Sequence, residues 1–577
     1  MTECNSGIAC QATAPAVGFS PSLSNCQPTV ATEPLTATER RTPLGRREVV
    51  LDFAGGWLTS DAGLLLLREV DRRLGLLDAI NAVIPDPRDP RFTIHEQREL
   101  LAQRIMALAA GYEDGNDHQT LRSDPALQTA VGRVPDEERP LGSPPTLCRL
   151  ENRISRATHL RLHEVLAEQF FHSFEQPPEE IILDLDATDD PLHGEQEGQF
   201  FHGYYDGYCY LPLYVFCGEH LLVAYLRPSN IDGAYHSRAV VKWLVERIRQ
   251  RWPQVRIVLR GDSGFCRWRL LRWCDRHDVQ YVIGLAKNKR LPAQARTWPT
   301  QAEEAFQATQ DKQRVFGEFS YAAETWDRKR RVIVKAERLV AGPNTRFLVT
   351  NRDGDPQRLY DDCYCQRGDM ENRIKEQQLM LFADRTNCHA LVANQFRMLL
   401  SGFAYVLLCG LRRLAGTLSP APWQTAAADA LVAASDSTLT EAAATVPDET
   451  ATATTAFEAT ASAALAESRS VTPSLVASAV AVDDASENAC VFLKSAASEF
   501  PACAAPSGSA GSNPWARAQV STLRLRLIKV AARVVVSARR VVFHLASSCP
   551  LQALFRALFR QLVPPPAGAP LAAAAPD

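Results

Sequence analysis

Residues 181–186 have the sequence IILDLD. This short apolar run ends in acids, which is typical of a buried β-strand in an α/β protein. Because side chains alternate along a strand, Asp184 and Asp186 point to the same side. The sequence therefore predicts two acids on one face of a core strand.

A second strand of this kind is predicted at 255–259, and it leads into RGDSGF at 260–265. Strand patterns at 208–217 and 221–226 and a helical pattern at 237–251 lie between the two, and another strand pattern follows at 280–285. This alternation favours a mixed α/β core. Asp262 then follows the second apolar strand much as Asp186 ends the first.

The rest of the chain divides by composition and periodicity. Around the core we expect disordered, helical, β-rich and low-complexity segments. The predicted units are a disordered lead-in at 1–45, a helical N-terminal DNA-binding region at 46–178, the first part of the core at 179–290, a β-rich insertion at 291–352, the second part of the core at 353–415, a low-complexity acidic linker at 416–514, basic helices at 515–562 and a disordered tail at 563–577.

Charge is distributed unevenly along the 577 residues. The linker has eleven acids and two bases, so the remaining residues carry +6 although the whole chain carries −3. Residues 516–562 have nine bases and no acid, and we expect a cationic helix there that packs through its apolar residues and faces a polyanion. A packed arginine-rich helix without a ligand, or a membrane surface, is the alternative. The candidate nucleic-acid contacts are Arg524, Arg526, Lys529 and Arg533.

Several classes of protein are disfavoured. The fifteen cysteines are scattered without a Cys-x-x-Cys pair, which favours reduced thiols over disulfides or zinc. The apolar run at 398–411 lies between Arg397 and Arg412 and is too short to cross a bilayer, so it predicts a buried helix. The N-terminus lacks a signal-peptide pattern, so we expect a cytoplasmic protein without membrane contact.

A third acid stands in a helical pattern further along the chain. On a helix, Tyr364, Arg367, Glu371 and Lys375 fall within roughly 80° of one another, so one face offers an acid flanked by two cations and an aromatic ring. Ion pairs between residues four apart on an exposed helix are the alternative explanation.

Three acids at the ends of elements are sufficient for a metal site if the fold brings them together. Magnesium prefers hard oxygen ligands and is commonly bound through one or two carboxylates. Two such ions roughly 4 Å apart can run phosphodiester chemistry. An Asp at the end of a strand can equally cap a turn or helix, which leaves Asp186 and Asp262 open to either role.

The four helical residues form a Tyr-x-x-Arg-x-x-x-Glu-x-x-x-Lys signature, and with Asp186 and Asp262 upstream the chain resembles DDE-type transposases of bacterial insertion sequences. Within them it is most similar to the thirteen-eighty group. The phrases that carry the match are LDLDATDDPLHG at 183–194, YCYLPL at 208–213 and RGDSGF at 260–265. The resemblance spans about 46–415 and returns at 516–560. It implies a ribonuclease-H-like catalytic core with a β-rich insertion between the second Asp and the Glu.

The resemblance also implies roles and partners. Asp186, Asp262 and Glu371 would be the metal ligands, with Asp184 as the alternative first ligand. Tyr364, Arg367 and Lys375 would contact phosphates at the element's end. Two Mg²⁺ ions are expected, and Mn²⁺ could substitute for them. The implied reaction on double-stranded DNA is hydrolysis at the terminal inverted repeats, followed by joining of the 3′-hydroxyl to target DNA. A homodimer would carry it out, and the protein would associate with the nucleoid when it is bound to DNA. The long acidic linker departs from the short connection expected in this group.

Two other functions remain as alternatives. Asp184, Asp186 and Thr188 also fit the Asp-x-Asp-x-Thr of haloacid-dehalogenase phosphatases, in which the first Asp is a nucleophile. Gly261-Asp262 lacks the further Asp that this class carries shortly afterwards. A transposase-derived protein that binds the repeats without cutting them is the other alternative.

Overall fold

The structure is a computed structural model that describes residues 39–44, 47–51, 55–136, 138–418 and 513–563. Residues 1–38 of the predicted lead-in, most of the linker at 416–514 and nearly all of the tail at 563–577 lie outside the described residues. By internal contacts the chain separates into two compact units, Met1–Gly56 and Trp57–Asp577.

The first unit contains a β-hairpin. Its strands, β1 (Glu39–Leu44) and β2 (Arg47–Leu51), pair antiparallel with Glu39 opposite Leu51. The prediction of a disordered lead-in up to residue 45 is therefore wrong from Glu39 onward, and the prediction that helices start near residue 46 is also wrong. The run REVVL at 47–51 contains two adjacent valines, and β-branched residues favour strands.

The second unit begins with a short strand, β3 (Trp57–Thr59), and a helical region. The helices are α1 (Leu64–Leu74), α2 (Leu76–Val83), α3 (Gln97–Ala110), α4 (His118–Leu121), α5 (Pro125–Ala130), α6 (Pro144–Asn152) and α7 (Arg156–His172). Gly75 joins the first two in the left-handed region, with φ of 61°, and its N–H donates to the carbonyl of Asp71. A glycine adopts this conformation without a Cβ clash, so the chain turns sharply between two buried helices.

A large mixed sheet follows, which confirms the predicted α/β class. Its strands are β4 (Glu180–Ala187), β8 (Leu213–Cys217), β9 (His220–Tyr225), β10 (Arg256–Gly261), β11 (Gln280–Leu285), β12 (Gln313–Tyr321), β13 (Arg330–Leu339) and β14 (Gly342–Thr350). Within the described residues their order is β12-β13-β14-β11-β10-β4-β8-β9. Strands β4, β10 and β11 are mutually parallel at the centre, and the pairs outside them are antiparallel.

The two faces of the sheet bury different partners. Helices α8 (Ser237–Arg251) and α9 (Trp268–Arg276) share an apolar core with Leu183 and Leu185 of β4. On the opposite face, Val258 and Val282 pack against the residues around Leu359 to Cys363. The period of two in IILDLD therefore directs leucines to one layer and Asp184 and Asp186 to the other.

A small second sheet lies between β4 and β8 in the chain. It contains β5 (Asp190–Pro191), β6 (Phe200–His202) and β7 (Gly207–Tyr210) in the order β5-β7-β6. The prediction of one strand over 208–217 is therefore wrong. Pro212 has no N–H to donate, which interrupts pairing and lets β7 and β8 join different sheets.

The predicted insertion is not purely β. Helices α10 (Arg290–Gln294) and α11 (Thr297–Thr309) precede its three strands. Those strands extend the main sheet, because β14 pairs antiparallel with β11 along Val282 to Leu285. The insertion thus continues the core sheet on the side of β11.

The third predicted acid lies in a chain of helical segments after β14. They are α12 (Pro356–Arg358), a π-helical turn (Leu359–Tyr364), a 3-10 turn (Cys365–Arg367), α13 (Gly368–Lys375), a second π-helical turn (Glu376–Met380) and α14 (Leu391–Thr417). Helix α14 is longer than the predicted apolar run, and its length and composition would suffice to cross a membrane. Because 89 % of its most apolar window is buried inside the protein, it packs as a core helix.

The C-terminal segment is only partly helical. It contains a 3-10 turn (Pro514–Arg517), α15 (Val520–Leu523), a π-helical turn (Arg524–Ile528), β15 (Ala532–Val536), β16 (Val541–Leu545) and α16 (Gln552–Leu562). The predicted continuous cationic helix is therefore wrong over 532–545, where consecutive valines favour strands. Strand β15 also pairs with β3 near the start of the unit, which ties the two ends of the fold together.

Candidate active site

Two of the predicted acids lie at the same end of neighbouring strands. Strands β4 and β10 are parallel, with Asp184 opposite Arg260 and Leu185 opposite Gly261. Asp186 and Asp262 come next in each strand direction. Parallel pairing thus brings together two acids that are far apart in the sequence.

Asp184 is committed to a buried ion pair. Arg260 Nη2 donates to Asp184 Oδ2 at 2.6 Å, and Arg260 Nε donates to Asp184 Oδ1. The Asp184 residue is only 3 % exposed. Arg260 also donates to the carbonyls of Cys363 and Gln366, so the pair holds the segment that leads into α13. This arrangement makes Asp184 a structural anchor and removes it as an accessible nucleophile.

Asp186 and Glu371 converge on one guanidinium group. Arg367 Nη1 lies 3.3 Å from Asp186 Oδ2, and Arg367 Nη2 donates to Glu371 Oε1 at 2.6 Å. The second contact is the predicted pairing of residues four apart on a helix. Within the described part of the chain, no ion pair joins Lys375 to Glu371. The structure therefore places Asp186 and Glu371 on either side of a single positive charge.

Asp262 caps the turn that follows β10. Its Oδ1 accepts the N–H of Gly264 at 3.0 Å, which is the turn-capping role left open by the sequence. Gly284 of β11 lies alongside, where an added Cβ would come within 2.8 Å of both the Tyr364 hydroxyl and the Ser263 nitrogen. A side chain at position 284 would displace Tyr364 from beside Asp262.

Two glycines lie on either side of Asp262, one at the end of β10 and one in the turn after it. An added Cβ at Gly261 would meet the Phe265 ring at 3.3 Å, so this glycine accommodates Phe265. A Cβ at Gly264 would meet Asp262 Oδ1 at 3.0 Å. Their small size therefore serves packing and the Asp262 cap.

The acids repel one another. The pKa of Asp186 is raised to about 7, chiefly by burial; the charge of Arg367 opposes the rise, and the carboxylates of Asp262 and Glu371 add to it. All three acids are thus close enough to interact electrostatically. A cation placed among them would stabilise their ionised forms.

The three acids can be compared with the known requirements of a metal site. In the described residues, no group of three or more His, Cys, Asp or Glu side chains is arranged to hold a metal ion. The donor chemistry nevertheless fits a hard divalent cation, because the converging groups are carboxylates. Arg367 holds positive charge between two of them.

The other predicted DNA contacts fall into two groups. Tyr364 is partly buried and Lys375 is exposed, and both lie on the segments around Glu371. In the C-terminal segment, Arg526 and Arg533 are exposed. All four side chains are at least partly accessible to solvent.

Two predicted DNA contacts have internal partners. Arg524 donates to the carbonyls of Leu108, Ala109 and Met380, and its guanidinium lies over the Phe382 ring. Lys529 Nζ lies 2.7 Å from Asp61 Oδ1 and 4.0 Å from the centre of the Tyr112 ring. These internal contacts hold both side chains against the helical region and weigh against their predicted contact with DNA.

Sequence reasoning missed the Asp184–Arg260 pair. A usable signal was present, since Arg260 precedes Asp262 by two residues as Asp184 precedes Asp186. Two adjacent parallel strands in register place such residues side by side.

Comparison with known proteins adds family evidence. A family model described as "Transposase DDE domain group 1" matches residues 41–446 and 493–566. A search of curated proteins finds no significant match. Among solved structures, a cryo-EM structure of the piggyBac transposase synaptic complex with hairpin DNA matches with a TM-score of 0.31 and 9 % identity, covering 61 % of this chain and 73 % of that chain.

Proposed function

We propose, since the chain belongs to the transposase DDE domain group 1 family, that it cuts and joins DNA at the ends of its own mobile element. The single observation that carries the proposal is the meeting of Asp186 and Glu371 on Arg367, with Asp262 beside them. We further propose that the protein belongs to the thirteen-eighty group of insertion-sequence transposases, and its Tyr364, Arg367, Glu371 and Lys375 signature supports this proposal.

We propose that Asp186, Asp262 and Glu371 hold two Mg²⁺ ions, which Mn²⁺ can replace. When bound, such ions activate the attacking oxygen and stabilise the leaving oxygen of a phosphodiester. The chain's own contribution is to fix three carboxylates on β4, β10 and α13. Asp184 and Arg260 position the last of these, because Arg260 binds the carbonyls just before α13.

The proposed roles of the neighbouring residues follow from their positions. Arg367, Tyr364 and Lys375 would bind phosphate oxygens at the element's end, since they lie on the helical segments that carry Glu371. Arg526 and Arg533 would bind DNA further away. Neutralising phosphates with such cations makes binding dependent on salt.

We also propose that the sheet is a ribonuclease-H-like catalytic core. Support comes from β9, β8 and β4, which form an antiparallel meander, and from β10 and β11, which continue the sheet parallel to β4. Active-site residues then cluster where the parallel strands end.

We also propose where the protein acts and in what form. It would act in the cytoplasm on nucleoid DNA, and a homodimer would hold two element ends with target DNA. The phosphatase alternative is opposed by Asp184, because a nucleophile paired with Arg260 and buried cannot reach a substrate.

The test is cleavage of a labelled duplex that carries the element's terminal inverted repeat, with Mg²⁺ or Mn²⁺. We expect cutting at the repeat boundary, and its loss in Asp186→Asn, Asp262→Asn and Glu371→Gln with duplex binding retained. Asp369→Asn is the matched control, because Asp369 is an exposed acid on the same helix as Glu371. Binding without any cutting by the wild type would favour the non-cutting DNA-binding alternative.

A further inference from the structure

A group of aromatic side chains is exposed on the small sheet beside the three acids. Four of them are well exposed, namely Phe200 at 41 %, Phe201 at 54 %, Tyr204 at 70 % and Tyr208 at 55 %. We call residues 200–208 the aromatic hairpin. Folded proteins rarely group large exposed apolar rings unless the surface binds something.

The aromatic hairpin is anchored to the elements that carry the acids. Its sheet begins at Asp190, four residues after Asp186, where Asp190 pairs with Tyr210. From the other side, Gln378 donates its side-chain N–H to the carbonyl of Asp189 at 2.7 Å. Gln378 lies in the π-helical turn that follows α13. The base of the hairpin's sheet, at Asp189 and Asp190, is therefore tied both to the strand of Asp186 and to the turn after the helix of Glu371.

The tip of the hairpin also lies near the acids. Burial raises the pKa of Tyr205, and the carboxylates of Asp189 and Asp186 raise it further. Tyr204 contacts Tyr205 with ring centres 4.9 Å apart and planes at 86°. Phe201 and Tyr208 meet at 5.7 Å and 76° on the paired strands. Edge-to-face contacts of this kind fix the orientation of the rings before any ligand arrives.

The charge of this region selects among ligands. Residues 200–208 contain one acid, Asp206, and no Lys or Arg. The aromatic hairpin therefore offers no cation to a phosphate, so it does not track a DNA backbone. Aromatic rings nevertheless stack on nucleobases, whose flat faces carry no charge.

We infer that the aromatic hairpin binds unpaired nucleobases next to the phosphodiester that is cut. The inference rests on the proposed function, which brings DNA to Asp186, Asp262 and Glu371. A base inside a duplex has both faces covered by its neighbours, so only a base that has left the stack can pack on Tyr204 or Tyr208. The surface would therefore favour element ends whose terminal pairs have opened.

The test compares two labelled DNAs without Mg²⁺ or Mn²⁺, so that nothing is cut. One is a fully paired repeat duplex, and the other is the same duplex forked at the cutting position, with 2-aminopurine among its unpaired bases. Tyr204→Ala and Tyr208→Ala are expected to weaken binding of the forked DNA by about 5- to 100-fold and to lose the change in 2-aminopurine fluorescence. Binding of the paired duplex should change less than about 2-fold, because no phosphate contact is removed.

Phe92→Ala is the matched control, because Phe92 is 83 % exposed on a turn in the helical region. It should leave both affinities unchanged, while Tyr204→Trp should retain binding of the forked DNA. Equal loss on both DNAs, or no loss on either, would overturn the inference. A change in the protein's dimerisation without selective loss on the forked DNA would overturn it in favour of an interface with a second copy.

The two proposals fail separately. If the wild type cuts the repeat duplex but Tyr204→Ala binds the forked DNA as tightly as the wild type, the aromatic inference is wrong and the proposed function stands. If binding of the forked DNA depends on Tyr204 but nothing is ever cut with Mg²⁺ or Mn²⁺, the proposed cutting activity is wrong and the inference stands.

Discussion

Asp184 and Asp186 are chemically alike and two residues apart, yet the structure predicts opposite effects when each is changed to Asn. Asp184 neutralises Arg260 inside the protein, with both oxygens engaged. Asp184→Asn leaves a guanidinium buried without its counter-charge. Breaking a buried pair from one side costs about 3–5 kcal/mol of unfolding free energy, and we expect the lower part of this range because Asn keeps one acceptor.

For Asp186 the charged carboxylate, and not its loss, destabilises the folded protein. Burial raises its pKa from 3.8 to about 7, so its ionised form is unfavourable in the folded state. A carboxyl whose folded pKa is raised stabilises the fold fully below pH 3.8, and this stabilisation is lost as pH rises through 7. At pH 8 without metal, Asp186→Asn should therefore be as stable as the wild type or more stable. The pKa difference sets a ceiling of about 4 kcal/mol, which loss of the Arg367 pair reduces.

The assay is urea unfolding at pH 8 with EDTA, followed by fluorescence, for the wild type and both variants. Asp369→Asn serves as an exposed control and should stay within about 0.5 kcal/mol of the wild type. If Asp186→Asn is destabilised as much as Asp184→Asn, or if Asp184→Asn is as stable as the wild type, the assignment of one acid to structure and the other to function is refuted.

Three further predictions concern other contacts. Arg367→Gln should bind Mn²⁺ about 5-fold more tightly in a titration, because the guanidinium that pairs with Asp186 and Glu371 no longer competes with the ion for these carboxylates. Lys375→Gln is the control. It removes the same charge without such a pair and should change the affinity by less than about 2-fold. Burial lowers the pKa of His118 to about 3, so the stability that neutral His118 contributes is fully present above pH 6.5 and is lost as pH falls toward 3. Urea unfolding at pH 7 and pH 5 measures this effect. Between these two pH values His118→Gln should lose about 2 kcal/mol less unfolding free energy than the wild type. Arg524→Ala should lower the unfolding free energy by about 2–4 kcal/mol, because the buried carbonyls of Leu108, Ala109 and Met380 lose their hydrogen-bond donor. Arg533 is exposed, so Arg533→Ala should leave stability unchanged and weaken DNA binding. The reverse pattern would contradict the internal role of Arg524.

The sequence predicts local elements well where burial creates a period. The helix expected at 237–251 is α8, which packs one apolar face against the sheet. The strand expected at 255–259 is most of β10, whose continuous apolar run is buried on both faces. The mixed α/β class follows from the order of these patterns.

Long-range pairing was not predictable in this way. Strand β15 pairs with β3, more than 470 residues earlier in the chain, and no local period records that partnership. The basic composition of 516–562 favoured one helix, whereas the valines at 534–536 and 541–542 form strands. Net charge reports on surface potential and carries little information about backbone conformation.

The candidate site was accessible to sequence reasoning to different degrees. Asp186, Asp262 and Glu371 stood out because they follow apolar strands or share a helix face with cations. Geometry was needed to separate Asp186 from Asp184, because only the register of β4 against β10 shows that Arg260 takes Asp184. The internal roles of Arg524 and Lys529 depended on the position of the helical region, which their own neighbours in the sequence do not reveal.

Mn²⁺ binding to the purified protein, measured by electron paramagnetic resonance, tests the claim that Asp186, Asp262 and Glu371 form one metal site. If they do, the wild type and Asp369→Asn bind Mn²⁺, and Asp186→Asn, Asp262→Asn and Glu371→Gln each lose most of that binding while remaining folded. Binding that persists in all three folded variants would contradict the claim.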